Sequence, residues 1–356
     1  MPTNSYRIAS LPGDGIGPEV CREARRVLAA VAERFDLAFA YTEALVGAAA
    51  IDATGDPLPA ETLRVCRDSD AVLFGAIGDR RFDDDPSLPV RPEQGLLRLR
   101  KDLQLFANLR PVAGYDQLAD LSPLRPERIR GVDLLIVREL TGGLYFGESG
   151  RRDGGDTAYD TCTYSRVEIE RIVRLAFAEA AARRGKLCLV DKANVLESSR
   201  LWREVTQAIA PEFPAVELST MFVDNAAMQL ILAPGQFDVI VTENMFGDIL
   251  SDAASVLSGS LGLLPSSSLG GKTGLFEPVH GSWPEGAGQD RANPTATILS
   301  AALMLDYLGE RAAGDAVREA VESLLATGAG TEDLRPRESI GTEEFGSRVA
   351  AALLQA

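Results

Sequence analysis

The chain has 356 residues, 46% of them hydrophobic and 25% charged, and its 36 Lys and Arg against 52 Asp and Glu give a formal net charge of −16. That length exceeds what one hydrophobic core usually serves, so two domains are expected, and the acidic balance argues against nucleic acid or an anionic membrane as partner. There is no run of about 18 apolar residues and no cationic-apolar leader pattern, while Cys21, Cys66, Cys162 and Cys188 are scattered without a CxxC pair. A cytoplasmic protein with reduced, structural thiols is expected.

In chain order, residues 6–11 read as a strand and 19–35 as an amphipathic helix, joined by Pro12-Gly13-Asp14-Gly15-Ile16-Gly17-Pro18. Its glycines are spaced GxGxG rather than GxGxxG, Pro18 opens the helix and no strand-end acid follows convincingly, so the unit is not read as a Rossmann fold. A tight strand-to-helix turn explains those glycines as well as a ligand loop does. Residues 71–77 form a second apolar strand, 78–92 a long loop rich in Asp and Pro, and 94–105 a helix. Arg91, Arg98, Arg100, Lys101 and Arg110 crowd the stretch 90–111, which suits either an anion site or a basic face paired with acids elsewhere.

Further strands are expected at 106–112, 132–139, 186–192, 216–223 and 237–241, with helices at 166–184, 196–209 and 225–232 between the last four. This alternation makes the class α/β with a largely parallel sheet. Residues 141–163, rich in glycine and aromatics, break the rhythm and suit an excursion that pairs with another chain. Residues 265–293 read as irregular, and an apolar helix resumes at 295–308 after Asn293-Pro294.

Polar residues recur where strands end: Arg138 and Glu139, Asp191 and Lys192, Asp224, then Thr242 and Glu243. Ligands of open α/β sheets bind at such carboxyl ends. Lys192 suits either a partly buried base or a salt bridge to Asp191 or Glu197. Tyr145 is either a proton donor or a packing residue, and His280, the single histidine, has no metal-ligand spacing around it. After the strand 237–241 a helix should carry Asp248 and Asp252 on one face, four residues apart, where like charges repel. Either that face is solvated or a hard divalent cation neutralises it.

Several longer motifs carry a resemblance. They are Gly95-Leu96-Leu97-Arg98-Leu99-Arg100-Lys101, Phe106-Ala107-Asn108-Leu109-Arg110-Pro111, Val137-Arg138-Glu139-Leu140-Thr141-Gly142-Gly143, Asp191-Lys192-Ala193-Asn194-Val195, Asn244-Met245-Phe246-Gly247-Asp248-Ile249-Leu250-Ser251-Asp252, and Glu277-Pro278-Val279-His280-Gly281-Ser282. With the opening Leu11-Pro12-Gly13-Asp14-Gly15 run, the sequence resembles the β-decarboxylating dehydrogenases that act on isopropylmalate, isocitrate, homoisocitrate and tartrate, nearly from end to end.

The resemblance implies a two-lobed isopropylmalate/isocitrate dehydrogenase-like α/β fold. One domain, 1–106 and 258–356, would hold both termini and the cofactor loop; the other, 107–257, would be inserted and form a homodimer with shared active sites. It implies that Arg100, Arg110 and Arg138 bind the substrate carboxylates, with Asp224 also touching substrate, and that Asp224, Asp248 and Asp252 hold Mg²⁺ or Mn²⁺. Lys192 would take the C2 hydroxyl proton and Tyr145 would protonate the enolate carbon. Leu96, Leu97 and Val195 match the isopropyl contact, which favours isopropylmalate oxidation in leucine biosynthesis over a sister reaction on tartrate, malate or homoisocitrate. NAD would bind through Glu277, His280, Gly281, Ser282, Glu285 and Asn293. Trp283 and Glu285 depart from the usual residues of that loop.

Overall fold

The computed structural model describes residues 2, 4–84 and 88–355. It divides into two compact units, Met1–Leu105 with Gly259–Ala356, and Phe106–Ser258.

In the first unit the strands run in the order Leu37–Glu43, Asn4–Gly13, Ala71–Ala76, Gly274–Pro278 and Pro265–Leu269. The first four are mutually parallel and the last is antiparallel to its neighbour. Ala71–Ala76 is buried along its whole length, as an apolar strand covered on both faces must be. One face of this sheet buries Leu11, Phe74, Leu99, Leu105 and Leu275 in a single cluster. The helix Thr295–Tyr307 is buried almost all round, which its near-absence of charged residues permits, and Asn293 Oδ1 accepts from the Thr295 amide at its start.

The glycine-rich turn after the first strand is packed tightly against protein backbone. A Cβ on Gly13 would fall 1.9 Å from the Ala76 carbonyl oxygen, and one on Gly15 would fall 2.0 Å from that of Ser282. The Asp14 carboxylate accepts from the amides of Ala48, Ala49 and Gly78 at 2.9–3.0 Å. The turn therefore fastens three segments to the end of the first strand.

Two elements differ from expectation. The loop at 78–92 contains a one-turn helix, Arg80–Asp83, and the stretch expected to be irregular from 265 contains the hairpin Pro265–Leu269 and Gly274–Pro278. Ser266, Ser267 and Ser268 lie buried in that hairpin. A run of serines hides a strand, because only their partners, such as Ser300 Oγ facing the Ser266 amide at 3.4 Å, make the burial acceptable.

In the second unit the order is Ala107–Ala113, Asp133–Glu139, Val239–Thr242, Lys186–Asp191 and Glu217–Phe222. The first pair is antiparallel and the other three pairs are parallel. Four carboxyl ends thus emerge along one edge, at Glu139, Thr242, Asp191 and Phe222. The helix Arg166–Ala182 starts from a capping box in which the Ser165 hydroxyl accepts from the Glu168 amide and the Glu168 carboxylate accepts from the Ser165 amide. Ser149–Arg152 and Thr157–Asp160 form a separate antiparallel hairpin. Among the described residues, no helix is long and apolar enough to cross a membrane.

Candidate active site

In the second unit the helix Asn244–Ser255 begins directly after the strand Val239–Thr242, its first turn capped by the Glu243 carboxylate, which accepts from the Phe246 amide at 2.9 Å. This start places Asp248 and Asp252 one turn apart on the same face. Each carboxylate has its own guanidinium. Arg138 Nη1 donates to Asp248 Oδ1 at 2.5 Å, and Arg110 Nη1 donates to Asp252 Oδ1 at 3.1 Å. The expected repulsion is offset by pairing, which is neither of the two sequence alternatives alone.

Arg138 is buried at the end of its strand, and Arg110 stands on the neighbouring antiparallel strand, steadied by Asn108 Oδ1 at 2.8 Å and Ser251 Oγ at 2.7 Å. Tyr145 Oη donates to the other oxygen of Asp248 at 3.1 Å. Partial burial first, then the Asp248 charge, hold the phenol above its usual pKa, with Arg138 opposing. It therefore remains a proton donor at neutral pH.

Lys192 and Asp224 form a second cluster of the same unit, with Nζ 2.9 Å from Oδ1 and the ammonium over the Phe222 ring at 5.9 Å. Neither expected partner holds the lysine, since Asp191 takes Arg203 and Glu197 takes Arg200. The lysine lowers the Asp224 pKa by its hydrogen bond. Asp224 does not join Asp248 and Asp252: among the described residues, no three potential ligands converge within one chain.

In the first unit Arg100 Nη2 donates to Glu277 Oε1 at 2.8 Å, both side chains largely buried. Of the basic stretch 90–111, Arg98, Arg100 and Arg110 each pair with an acid, Arg98 with Asp56. Leu97 is 49% exposed on the helix Pro92–Asp102 and Leu96 is half-buried there; Val195 of the second unit is 60% exposed. Leu96 packs against the core of the first unit, whereas the exposed Leu97 and Val195 remain available to a ligand.

A cavity of about 650 Å³ in the first unit is lined by Ile16, His280, Gly281, Trp283, Asn293 and Asp333, among others. Of the residues expected to bind cofactor, His280, Gly281 and Asn293 meet there. Glu277 instead engages Arg100, the Ser282 carbonyl receives the Ile16 amide, and Glu285 pairs with Arg80 at the surface. Burial lowers the His280 pKa, and its Nδ1 lies 2.9 Å from the Gly281 carbonyl oxygen, an acceptor only. The proton of the neutral ring therefore sits on Nδ1, and the buried Nε2, which has no protein partner, is a bare acceptor.

Sequence reasoning overlooked Asn108, Ser251 and Asp333. Asn108 and Ser251 stood inside quoted motifs, where a polar residue amid apolar neighbours was the available signal; Asp333 lies far along the chain and gave none.

The chain matches the family model "Isocitrate/isopropylmalate dehydrogenase" over residues 7–349. It is 57% identical to 3-isopropylmalate dehydrogenase of Geobacillus kaustophilus, covering 98% of this chain and 96% of that one, and 56% identical to that of Bacillus subtilis, covering 98% and 97%. Among solved structures, isocitrate dehydrogenase from Methylococcus capsulatus superposes with a TM-score of 0.88 at 34% identity, covering 98% of this chain and all of the other. With its paired arginines and aspartates, its Lys192–Asp224 cluster and near-complete alignment to these relatives, the chain belongs to the isocitrate/isopropylmalate dehydrogenase family.

Proposed function

We propose that the protein oxidises 3-isopropylmalate and releases CO₂ to give 4-methyl-2-oxopentanoate, with NAD⁺ as electron acceptor, in leucine biosynthesis. One observation carries the substrate choice: relatives named 3-isopropylmalate dehydrogenase are 53–57% identical over nearly the whole chain, against 34% for the isocitrate dehydrogenase structure. The exposed Leu97 and Val195 agree, because three carbons of an isopropyl group buried on apolar surface contribute roughly 2 kcal/mol. The sister reactions on tartrate, malate or homoisocitrate have no such support.

Arg100, Arg110 and Arg138 bind the two carboxylates, exchanging their protein acids for substrate acids. Lys192, in its neutral amine form, accepts the proton of the C2 hydroxyl as C2 is oxidised, and the ammonium so formed is held by Asp224. Tyr145 then delivers its phenolic proton to C3, the carbon that has lost CO₂. A divalent cation fits the donor chemistry of Asp224, Asp248 and Asp252, which offer only hard carboxylate oxygens and suit Mg²⁺ or Mn²⁺. When bound, the cation supplies charge that polarises the C2 oxygen, and the nicotinamide supplies the hydride acceptor.

The dinucleotide fits the first-unit cavity, where the bare Nε2 of His280 awaits a donor. Glu285 favours NAD⁺ over NADP⁺, since it would repel a 2′-phosphate, and Arg291 of the same loop is taken by Glu332 at 2.6 Å. A homodimer is supported by the metal set, which the described residues of one chain do not bring together, and by the apolar side chains of two packed helices. Met228, Ile231 and Leu232 of Val223–Leu232 and Ile249 of Asn244–Ser255 are all exposed. Four unpaired cysteines suit the cytoplasm.

The test is NADH and NADPH formation by purified protein with 3-isopropylmalate, isocitrate, homoisocitrate and tartrate in parallel. Highest kcat/KM with 3-isopropylmalate and NAD⁺ is expected; a higher value with any other substrate rejects the assignment.

A further inference from the structure

Arg138 owes its direction to residues outside the set that meets substrate. Its Nε and Nη2 donate to the same carboxamide oxygen, Asn244 Oδ1, at 3.1 and 2.9 Å, which fixes that edge of the guanidinium and turns Nη1 toward Asp248. Asn244 is itself immobilised. It is 1% exposed, its Nδ2 donates to the Gly142 carbonyl at 3.1 Å, and its amide donates to Tyr164 Oη at 2.9 Å. Tyr164 Oη in turn donates to Glu243 Oε2 at 3.1 Å. The methylene stem of Arg138 is confined as well, because Gly247 lies beneath it: a Cβ there would sit 2.5 Å from Cγ and 2.7 Å from Cβ of Arg138.

We propose that Asn244 is the positioning residue of Arg138, a neutral clamp that aims the guanidinium at the substrate carboxylate without adding a second negative charge to that of Asp248. This rests on the reading of Arg138 as a carboxylate ligand. The chemistry of the acceptor is the argument. A carboxamide oxygen takes two N–H groups as well as a carboxylate oxygen does, but it brings no charge, whereas an aspartate at the same place would be a second carboxylate on an arginine that Asp248 already pairs, and one that substrate does not displace. The rigid anchors confine the side chain in advance, so orientation is not bought from substrate binding energy.

The experiment compares Asn244→Ala, Asn244→Asp and Arg138→Lys in the full-length enzyme, recording the melting curve, kcat, and KM for 3-isopropylmalate and for NAD⁺. Loss of a charge-assisted clamp should raise KM for 3-isopropylmalate by about 10- to 100-fold in Asn244→Ala, with kcat within about threefold and KM for NAD⁺ within about twofold. Asn244→Asp keeps the contact to Arg138 but adds a second, permanent negative charge beside it, so its KM should also rise about 10-fold or more even where its melting temperature matches the parent's. A merely structural asparagine would instead make KM follow the melting temperature and would shift both substrates together.

A parent-like KM for 3-isopropylmalate in either folded Asn244 variant, alongside a raised KM in Arg138→Lys, overturns the clamp and leaves the role of Arg138 standing. A parent-like KM in Arg138→Lys removes the reading of Arg138 itself, and the clamp with it. If neither Asn244 variant melts cooperatively, Gly247→Ala decides, since from the same helix it displaces the Arg138 stem while leaving Asn244 in place. A selective rise in KM for 3-isopropylmalate there supports the clamp, and an unchanged KM overturns it.

Discussion

Tyr145 and His280 show how one side chain's surroundings set its protonation. The phenol, next to the Asp248 carboxylate, is harder to ionise than in water. Removing its hydroxyl in Tyr145→Phe should lower kcat by about 100-fold or more while KM for 3-isopropylmalate changes little; steady-state rates would show this, and a parent-like kcat would exclude the tyrosine as proton donor. For His280 the sign runs the other way. Burial depresses its folded-state pKa below the ordinary 6.5, so as pH falls the unfolded chain takes up this proton first. Stability linked to the neutral ring is therefore intact above about pH 6.5 and lost as pH drops from there toward the folded-state value. Melting temperatures of the parent should decline more steeply than those of His280→Gln between about pH 7 and about pH 5, and parallel slopes would contradict the burial argument.

Among the elements, the turn at Asp14 matters to more than its own geometry. One carboxylate receives amides from the helix Gly47–Thr54 and from Gly78, so Asp14→Ala leaves two buried N–H groups and one part-buried N–H without their acceptor and should cost about 2–4 kcal/mol. Denaturant midpoints measure this, and a cost under about 1 kcal/mol would mean that water replaces the carboxylate easily.

The same turn marks the limit of sequence reading. Its glycines suited a tight turn or a ligand loop; the close carbonyls of Ala76 and Ser282 explain Gly13 and Gly15, while Ile16 of the same turn lines the cavity. Ala71–Ala76 announced itself by a continuous apolar run and Val239–Thr242 by a β-branched one. Leu37–Glu43 did not, because an edge strand with a wet face keeps mixed polarity, and the serine strand from Pro265 did not because its hydroxyls find partners only in the fold. Within the site, residue types were legible while partners were not. Lys192 had two acids within five residues, yet its partner is Asp224, brought to it by the neighbouring strand Glu217–Phe222.

At the scale of the whole molecule, the proposed shared site makes a quantitative prediction. Lys192→Ala and Asp248→Ala chains, each inactive alone, are mixed under conditions that let subunits exchange. In a heterodimer one site collects both lesions and the other combines an intact Lys192 with the partner's intact metal-binding aspartate. Half the dimers at equal mixing are heterodimers with one working site of two, so about a quarter of parental activity should return. Sites built within one chain would return none.

The three ion pairs Arg138–Asp248, Arg110–Asp252 and Lys192–Asp224 have a thermodynamic consequence. Every acid proposed for the cation is held by a base proposed for the substrate, so each ligand must break the contacts that the other also has to break. Whichever binds first bears that cost for both, and linkage makes the benefit reciprocal. Calorimetric titration should find that Mg²⁺ tightens 3-isopropylmalate binding by some factor and that 3-isopropylmalate tightens Mg²⁺ binding by the same factor, roughly 5- to 150-fold for a coupling of ordinary size. Two binding constants that ignore each other would show that the pairs open at no cost.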